Sequence, residues 1–303
     1  MPKKKPILTH DTLFDMGEAP DVSAKTCAKP PTDVLQKTAS YTKLELHEGD
    51  CLVGMAKLPA ASVDLVITSP PYNLEINYNS YSDDLPRDEY LAWCVRWATE
   101  VKRVLKPDGS FFLNVGASPK NPYMPHELIL ALRGLFTLQN TLHWVKSITI
   151  HTRSGDDISA GHFKPLNSER FVNDCHEYVF HLTHEGTVKL DRRGAGVEYA
   201  DKSNIARWSH TSGNDRRCRG NNWFIPYKTI QSRKGERPHP ATFPGQLAEW
   251  CVKLHGYRPD LVVMDPFLGI GHAAEGAMAC GVAKFIGFEI DPGYLAEAKR
   301  RLG

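Results

Sequence analysis

The chain has 303 residues, of which 41% are hydrophobic and 24% charged, which is enough for one α/β core with an inserted elaboration. It contains no run of about 18 or more apolar residues and no apolar stretch near its start, so we expect a cytoplasmic protein without a membrane span or an export signal. The seven cysteines include no Cys-x-x-Cys pair and no compact Cys/His cluster, which favours free thiols and no bound metal.

The predicted elements begin after an irregular segment. Residues 1–40 carry three consecutive lysines, five prolines and little apolar periodicity, which predicts a flexible N-terminal arm. From residue 41 on, short apolar runs alternate with helical periods, which is the pattern of a mostly parallel sheet with helices on both faces. A Pro-Asp-Gly turn at 107–109 is expected to end the first long helix. The seven predicted strands are 43–47, 64–68, 110–115, 139–146, 177–182, 261–265 and 284–290, and the predicted helices are 88–105, 126–135, 243–254, 271–280 and 292–302.

The segment from 186 to 223 interrupts this pattern with Gly, Asn, Ser and Arg, which predicts an insert rather than core. The region is also basic. Residues 187–240 hold twelve Lys/Arg and five Asp/Glu, so this region carries +7 and the rest of the chain −5, although the net charge is only +2. A segregated basic segment is typical of phosphate contacts, and a solvated basic face without a partner explains it equally well.

A stiff loop follows the predicted strand at 64–68. Ser69, Pro70, Pro71 and Tyr72 come directly after it, and two prolines fix a loop at the edge where open α/β sheets bind ligands. Transfer of a methyl group to an aromatic amino nitrogen needs acceptors for the amino hydrogens, which the Ser69 hydroxyl and the Pro70 carbonyl can supply. Tyr72 can stack on a base flipped out of a duplex. A rigid turn with a packed aromatic ring remains the alternative.

A glycine turn follows the predicted strand at 261–265. Gly269 and Gly271 allow a ligand to approach the backbone, and the helix after them offers free N–H groups to an anion. Glu289 lies twenty residues past Gly269, where a carboxylate can accept both ribose hydroxyls. These residues indicate a nucleotide-like ligand. The same spacing fits the dinucleotide fingerprint, so nicotinamide cofactors and simple packing glycines both remain open here.

The segments 64–72 and 265–271 together resemble the amino-methyltransferases of DNA, a family with N4-cytosine and N6-adenine enzymes. The catalytic loop precedes the cofactor motif, with a basic segment between them, which is the order of the permuted beta class. The resemblance extends from about residue 41 to 303. It implies a Rossmann-like, S-adenosylmethionine-dependent methyltransferase fold with a catalytic half at 41–186, a target-recognition insert at 187–224 and a cofactor-binding half at 225–303.

The resemblance also assigns site residues. Ser69, Pro70, Pro71 and Tyr72 correspond to the catalytic loop. The block at 239–244 resembles the motif that begins the helix beside the methionine end of the cofactor. The implied S-adenosylmethionine site consists of Asp50 on the adenine side, Glu289 at the ribose, and Thr68, Phe243, Asp265, Phe267, Gly269 and Gly271.

A serine before Pro-Pro-Tyr is typical of the family's N4-cytosine enzymes and an aspartate of its N6-adenine enzymes, so Ser69 favours cytosine and adenine is the alternative. The family acts on double-stranded DNA of bacteria and archaea, which implies a nucleoid-associated monomer or weak homodimer with a possible partner restriction endonuclease. A second DNA-contacting loop or a simple surface loop is expected at 146–170, with His151, Arg153 and Lys164. The side chains assigned to DNA recognition are Arg216, Arg217, Arg219, Asn221 and Asn222.

Other functions explain less of the sequence. C5-cytosine methylation needs a cysteine after a proline in the catalytic loop, and no cysteine in this chain directly follows a proline. A nicotinamide dehydrogenase accounts for the glycines and Glu289 but not for the loop at 69–72. A methyltransferase for RNA or protein amides remains possible because an amide nitrogen poses the same chemical problem. A non-catalytic DNA-binding protein needs the basic segment but not the cofactor turn.

Overall fold

The structure is a computed structural model that describes residues 42–74, 76, 79–81, 83–152, 154–161, 168–226 and 242–303. Some predictions fall outside these residues: the N-terminal arm at 1–40, the motif residues at 239–241, Arg153, Lys164 and the basic residues between 228 and 237. In the described part, no helix combines the length and the apolar character that a membrane crossing requires.

The described residues form ten strands and seven α-helices. All seven predicted strands and all five predicted helices are present, with bounds that differ by a few residues. The strands are β1 (Lys43–Glu48), β2 (Val63–Thr68), β3 (Leu105–Val115), β4 (Thr137–Val145), β5 (Ser147–His151), β6 (Asp157–Gly161), β7 (His176–Thr183), β8 (Asn222–Phe224), β9 (Val262–Asp265) and β10 (Lys284–Glu289). The helices are α1 (Cys51–Met55), α2 (Arg87–Val104), α3 (Met124–Ala131), α4 (Ser203–Arg207), α5 (Gly245–His255), α6 (His272–Cys280) and α7 (Pro292–Leu302).

Eight strands form the central sheet in the order β1-β10-β9-β2-β3-β7-β4-β8. Only β7 runs antiparallel to its neighbours, so the α/β fold with a mostly parallel sheet is confirmed. The predicted number of seven strands is one too low. The eighth strand, β8, has only three residues and pairs with β4, and such a short run shows no periodicity in the sequence. β5 and β6 form a separate antiparallel pair within the segment predicted as a loop.

The central strand β2 explains how the sheet is held between two layers. All six of its residues are buried, as expected for a strand covered on both faces. Val66 packs with α1, α2 and α3 on one face, and Val63 joins the same cluster because the strand is irregular between Val63 and Leu65. Leu65 and Ile67 pack with α5, α6 and α7 on the other face. The alternation of side chains along one strand therefore divides the core into two halves.

The end of α2 differs from the prediction. The helix stops at Val104 because Leu105 already has extended backbone angles, and β3 begins at that residue. The Pro-Asp-Gly turn at 107–109 lies inside β3, where the pairing shifts from Val63 opposite Leu105 to Leu65 opposite Ser110. The turn residues thus form an irregularity in the strand and not the helix stop.

The predicted insert at 187–224 does not form a separate unit. Its last residues form β8, in which Trp223 is only 1% exposed. The indole of Trp144 in β4 donates a hydrogen bond to the Ile225 carbonyl at 2.8 Å. Ala195, Trp223 and Ile225 all belong to the core on the α5 side. A domain boundary after residue 224 would therefore separate Trp223 of β8 from Ile225, although both residues belong to the same core.

Candidate functional site

The carboxyl ends of β2, β9 and β10 meet at one edge of the sheet because these neighbouring strands are parallel. Open α/β sheets bind ligands at this edge. A cleft lies there, with an empty volume of about 1070 Å³ that includes its solvent-open mouth. The predicted site residues that line it are Asp50, Ser69, Pro70, Pro71, Tyr72, Phe243, Asp265, Phe267, Gly269 and Glu289.

Asp265 ends β9 as a buried carboxylate, 1% exposed, in the wall of the cleft. Its Oδ1 atom accepts hydrogen bonds from the Thr68 hydroxyl at 2.5 Å and from the Phe267 N–H at 2.9 Å. Burial raises the pKa of Asp265 to about 7, against the lowering effect of these bonds. Thr68 is fully buried and is not among the residues that line the cleft. The structure therefore places Thr68 behind Asp265, where it orients the carboxylate.

Glu289 ends β10 and holds the glycine turn in place. Its carboxylate accepts the Gly269 N–H at 2.7 Å and the Asp291 N–H at 2.9 Å. Burial raises the pKa of Glu289, and these two bonds lower it in part. Asp291 also lines the cleft, accepts a hydrogen bond from the Ser80 hydroxyl at 2.5 Å and caps α7 through the Tyr294 N–H. Asp291 was not among the predicted site residues, although its position as an N-cap before Pro292 was a usable signal.

The two glycines of the turn serve different purposes. Gly269 has a φ of 55° and lines the cleft. Gly271 has a φ of 91°, and a Cβ at this position would lie 2.9 Å from Leu302 Cδ1 in α7. The positive φ of Gly271 favours glycine, and the Leu302 methyl group is the movable end of a side chain, so the backbone angle is the stronger requirement. The predicted role of Gly271 in admitting a ligand stays a prediction.

An aromatic wall closes the side of the cleft next to α2. Trp93 and Phe267 both line the cleft, with ring centroids 5.5 Å apart. Phe288 adds a third ring to the lining, and Asp50, the N-cap of α1, also lines the cleft and accepts the Leu52 N–H at 2.6 Å. Trp93 was not among the predicted site residues, because it lies within the predicted helix at 88–105 and no motif marks it. A flat ring, hydroxyl groups and a positive charge in one ligand would match this combination of aromatic and acidic side chains.

The loop at 69–72 carries a dense hydrogen-bond network. The Ser69 hydroxyl and the Tyr72 hydroxyl are 2.5 Å apart. Asn114, at the end of β3, donates from Nδ2 to Tyr72 Oη at 2.8 Å and to Glu177 Oε2 at 2.7 Å. Lys146 forms an ion pair with Glu177 Oε1 at 2.8 Å. Asn114, Glu177 and Lys146 were not among the predicted site residues.

Antiparallel β7 explains how this network assembles. Because β7 runs opposite to β3 and β4, its first residues lie at the edge where those two strands end. Glu177, the second residue of β7, is therefore close to Asn114 and to Lys146, which follows β4. Gly116 leaves room for the approach, because a Cβ there would lie 3.1 Å from Glu177 Cγ and 3.3 Å from Tyr72 Cε2.

Two sets of hydrogen bonds hold the backbone of the loop, one at Pro71 and one at the residues that follow Tyr72. The Tyr90 hydroxyl in α2 donates to the Pro71 carbonyl at 2.8 Å. Asp83, 3% exposed, accepts backbone N–H groups of Asn73, Leu74 and Ile76 at 2.8 to 3.2 Å. These contacts fix the backbone on both sides of Tyr72, so the loop is preorganised.

The residues assigned to DNA recognition fall into two groups. Arg216 and Arg217 are exposed. Arg219 instead lies 3.7 Å from the centroid of the Trp250 ring and donates from Nε to the Ala195 carbonyl at 2.9 Å, so its guanidinium is used inside the fold. Asn221 donates to the Thr141 carbonyl at 3.1 Å, and Asn222 is part of β8. Both asparagines are exposed but belong to the edge of the central sheet.

Comparison with known proteins shows clear relatives. A family described as DNA methylase matches residues 63–300. The chain is 29% identical over 271 residues to the Type II methyltransferase M.ScaI of Streptomyces caespitosus, covering 85% of this chain and 80% of that protein. It is 28% identical over 257 residues to the DNA adenine methyltransferase YhdJ of Escherichia coli K12, covering 84% and 81%.

Solved structures share the fold. The PvuII DNA methyltransferase, which is cytosine-N4-specific, superposes with a TM-score of 0.63 over 86% of this chain and 87% of that one, at 22% identity. TTHA0409 of Thermus thermophilus, a putative DNA modification methylase in complex with S-adenosyl-L-methionine, gives a TM-score of 0.55 at 26% identity, covering 85% and 92%.

Proposed function

Since this chain belongs to the DNA methylase family, we propose that it methylates the N4 amino group of cytosine in duplex DNA and uses S-adenosylmethionine as the methyl donor. Methylation of DNA is the activity of the family. The choice of base and the roles of individual residues are the proposal. One observation carries it: the loop at 69–72 lines the same cleft as Asp265, Gly269 and Glu289, which together are called the acidic turn.

The cleft suits S-adenosylmethionine in each part of that molecule. Trp93 and Phe267 offer aromatic faces for the adenine ring. Glu289 offers a carboxylate for the ribose hydroxyls, and Asp265 one for the charged end of the methionine part. Asp50 is proposed on the adenine side. The complex of TTHA0409 with S-adenosyl-L-methionine supports this choice of ligand. When bound, S-adenosylmethionine supplies a methyl group that is activated by the positive charge on sulfur.

The protein's part in the reaction is to hold an amino group. The nitrogen lone pair of an aromatic amine is delocalised into the ring, so the amino hydrogens must be held by acceptors while the lone pair turns toward the methyl group. The Ser69 hydroxyl and the Pro70 carbonyl are such acceptors on a braced loop. A base inside a duplex cannot reach them, which implies base flipping, with Tyr72 beside the extruded base.

Cytosine is preferred over adenine because a serine precedes Pro-Pro-Tyr, as is typical of N4-cytosine enzymes. The cytosine-N4-specific PvuII enzyme shares the fold, but a similarity of 22% identity is an argument for the fold and not for the choice of base. The adenine methyltransferase YhdJ keeps N6-adenine as the second candidate. A non-catalytic DNA-binding protein is disfavoured, since such a protein needs neither the acidic turn nor the network around Tyr72.

Duplex DNA is the proposed partner, with Arg216 and Arg217 as exposed phosphate or base contacts from the basic segment. The similarity to the Type II methyltransferase M.ScaI supports a partner restriction endonuclease. We propose a monomer or weak homodimer.

The direct test is to express the full chain in a host without DNA methylation and to map modified bases across the genome. We expect N4-methylcytosine within one recurring sequence. N6-methyladenine in one sequence would overturn the choice of base and retain the enzyme class. Unmodified DNA from cells with soluble, S-adenosylmethionine-binding protein would refute DNA methylation itself.

A further inference from the structure

The hydroxyl group of Tyr72 connects Ser69, the proposed acceptor for the amino group, to the ion pair of Glu177 and Lys146. It lies 2.5 Å from Ser69 Oγ and 3.1 Å from Glu177 Oε2. Glu177 in turn forms an ion pair with Lys146, and the side chains of the two residues are only 11% and 17% exposed. A continuous chain of polar contacts thus runs from the cleft through Ser69, Tyr72 and Glu177 to Lys146.

The direction of these hydrogen bonds follows from the carboxylate. Glu177, beside the Lys146 ammonium, can only accept, so the Asn114 atom that faces it at 2.7 Å is the donor Nδ2. The same Nδ2 donates to Tyr72 Oη at 2.8 Å. The Tyr72 hydroxyl then directs its own proton toward Glu177 Oε2 and the backbone carbonyl of Asn114, each 3.1 Å away. The reverse direction would set a tyrosine lone pair against a carboxylate, which is unfavourable at low solvent exposure.

This direction determines the state of Ser69. Because the Tyr72 proton points to Glu177, the short contact between the two hydroxyls is made by the Ser69 proton. The lone pairs of Ser69 Oγ are then available on its remaining sides, apart from a long contact of 3.4 Å with Asn114 Nδ2. Ser69 is held as an acceptor, which is the role that an amino substrate demands.

We infer that Glu177 is a positioning residue for methyl transfer: it orders the Ser69–Tyr72 hydrogen bonds so that Ser69 accepts from the target amino group, and it receives the proton that this group releases. The inference rests on the proposed function. When methyl transfer forms the N–C bond and breaks the S–C bond, the nitrogen becomes positively charged and must lose one proton. That proton passes to Ser69 Oγ as the serine proton moves to Tyr72 Oη and the tyrosine proton to Glu177 Oε2. The nitrogen becomes neutral, and the carboxylate becomes a carboxylic acid that later releases its proton to water.

The first experiment compares Glu177→Gln with the parent and with Glu185→Gln, a control at an exposed glutamate just past β7. We expect the single-turnover methylation rate of Glu177→Gln to fall about 10²-fold, the scale of a lost proton-transfer group. S-adenosylmethionine affinity should match the control, whereas the thermal midpoint should fall because Lys146 loses its charged partner, so rates are compared at a temperature where all three proteins are folded. Deuterated water should slow the variant more than the parent, because loss of the proton has become the slow step, and a purely structural role would not change this ratio.

A second experiment uses Glu177→Ala, in which sodium formate should restore part of the methylation rate and sodium chloride should not. A third experiment does not depend on enzyme activity. The infrared difference spectrum between the parent and Glu177→Gln isolates the carboxylate band of Glu177, which should be that of an ionised group at neutral pH. A protonated Glu177, or Glu177→Gln with the parent's rate, would overturn the inference and leave DNA methylation intact. A parent protein that methylates no DNA overturns both.

Discussion

Two regions with strong sequence signals differ in how the fold uses them. In the loop at 69–72, the predicted residues Ser69 and Tyr72 face a cleft together with the acidic turn. In the basic segment at 187–224, the prediction rested on charge, and Arg219 proves to lie against Trp250 and the Ala195 carbonyl. A motif that specifies backbone geometry also specifies where its side chains point. A surplus of arginine specifies no direction, since the same guanidinium serves phosphates, carbonyls and aromatic rings.

The variant with the largest expected effect tests whether the basic segment at 187–224 is a separate insert or part of the core. Trp223→Ala should lower the free energy of unfolding by about 3–5 kcal/mol, because it empties a fully packed site between β4 and α5. Denaturant unfolding of Trp223→Ala and the parent measures this difference. Trp208→Ala, which removes a tryptophan that is 42% exposed in the same segment, is the control and should change stability far less. Equal losses would mean that β8 is not integrated into the core.

The next effect concerns the catalytic loop. Ser69→Ala removes the proposed acceptor for the amino group and should lower the methylation rate about 10²–10³-fold, the scale of a lost preorganised hydrogen bond. The affinity for S-adenosylmethionine, measured by calorimetry, should stay unchanged. Ser62→Ala is the matched control, since the Ser62 hydroxyl bonds only to the nearby Pro59 carbonyl at 2.7 Å among the described residues. A Ser69→Ala protein as fast as the parent would contradict the assignment of the loop.

How much the sequence can predict depends on whether a feature is local. The loop at 69–72 and the turn after β9 are contiguous segments, so their place at a strand end could be predicted from periodicity and prolines alone. Asn114 lies in β3, Glu177 in β7 and Lys146 directly after β4, and only the antiparallel placement of β7 between β3 and β4 brings them to Tyr72. A weak signal existed: Asn114 is a polar residue directly after the apolar run Phe111–Leu113, and it is 3% exposed. β8 has only three residues, too few for a recognisable period, whereas the alternation of Ile148 and Ile150 with polar residues in β5 was a signal that could have been used.

Asp265 extends the comparison to stability against pH. Its folded pKa of about 7 lies above the ordinary value of 3.8, so between about pH 4 and 7 the unfolded chain releases a proton that the folded protein keeps. This carboxylate therefore lowers stability as the pH rises through that window, and the loss is complete above it. Asp265→Asn should raise the thermal midpoint of the ligand-free protein at pH 8 and leave it unchanged at pH 4.

The same substitution separates stability from binding. Both bonds to Asp265 reach Oδ1, so an asparagine can retain the contacts with Thr68 and the Phe267 N–H. Affinity for S-adenosylmethionine should nevertheless fall about tenfold, the scale of one charge-assisted contact. A variant that is less stable than the parent at pH 8, or that binds the donor equally well, would show that the carboxylate is there for structure.

The smallest expected effect divides the basic segment itself. Replacing the exposed Arg216 and Arg217 by alanine should weaken duplex binding about tenfold and reduce the slope of log affinity against log salt by about two, one for each lost phosphate contact. Arg219→Ala is the counterpart: it should lower the unfolding free energy by about 1–2 kcal/mol through lost packing on Trp250, with an unchanged salt slope. Salt titrations of DNA binding and denaturant unfolding on the same three proteins separate the two outcomes. If Arg219→Ala instead flattened the salt dependence while the double variant did not, the Arg219–Trp250 contact would have to open when DNA binds, and the charge-based prediction would hold for the half-buried Arg219.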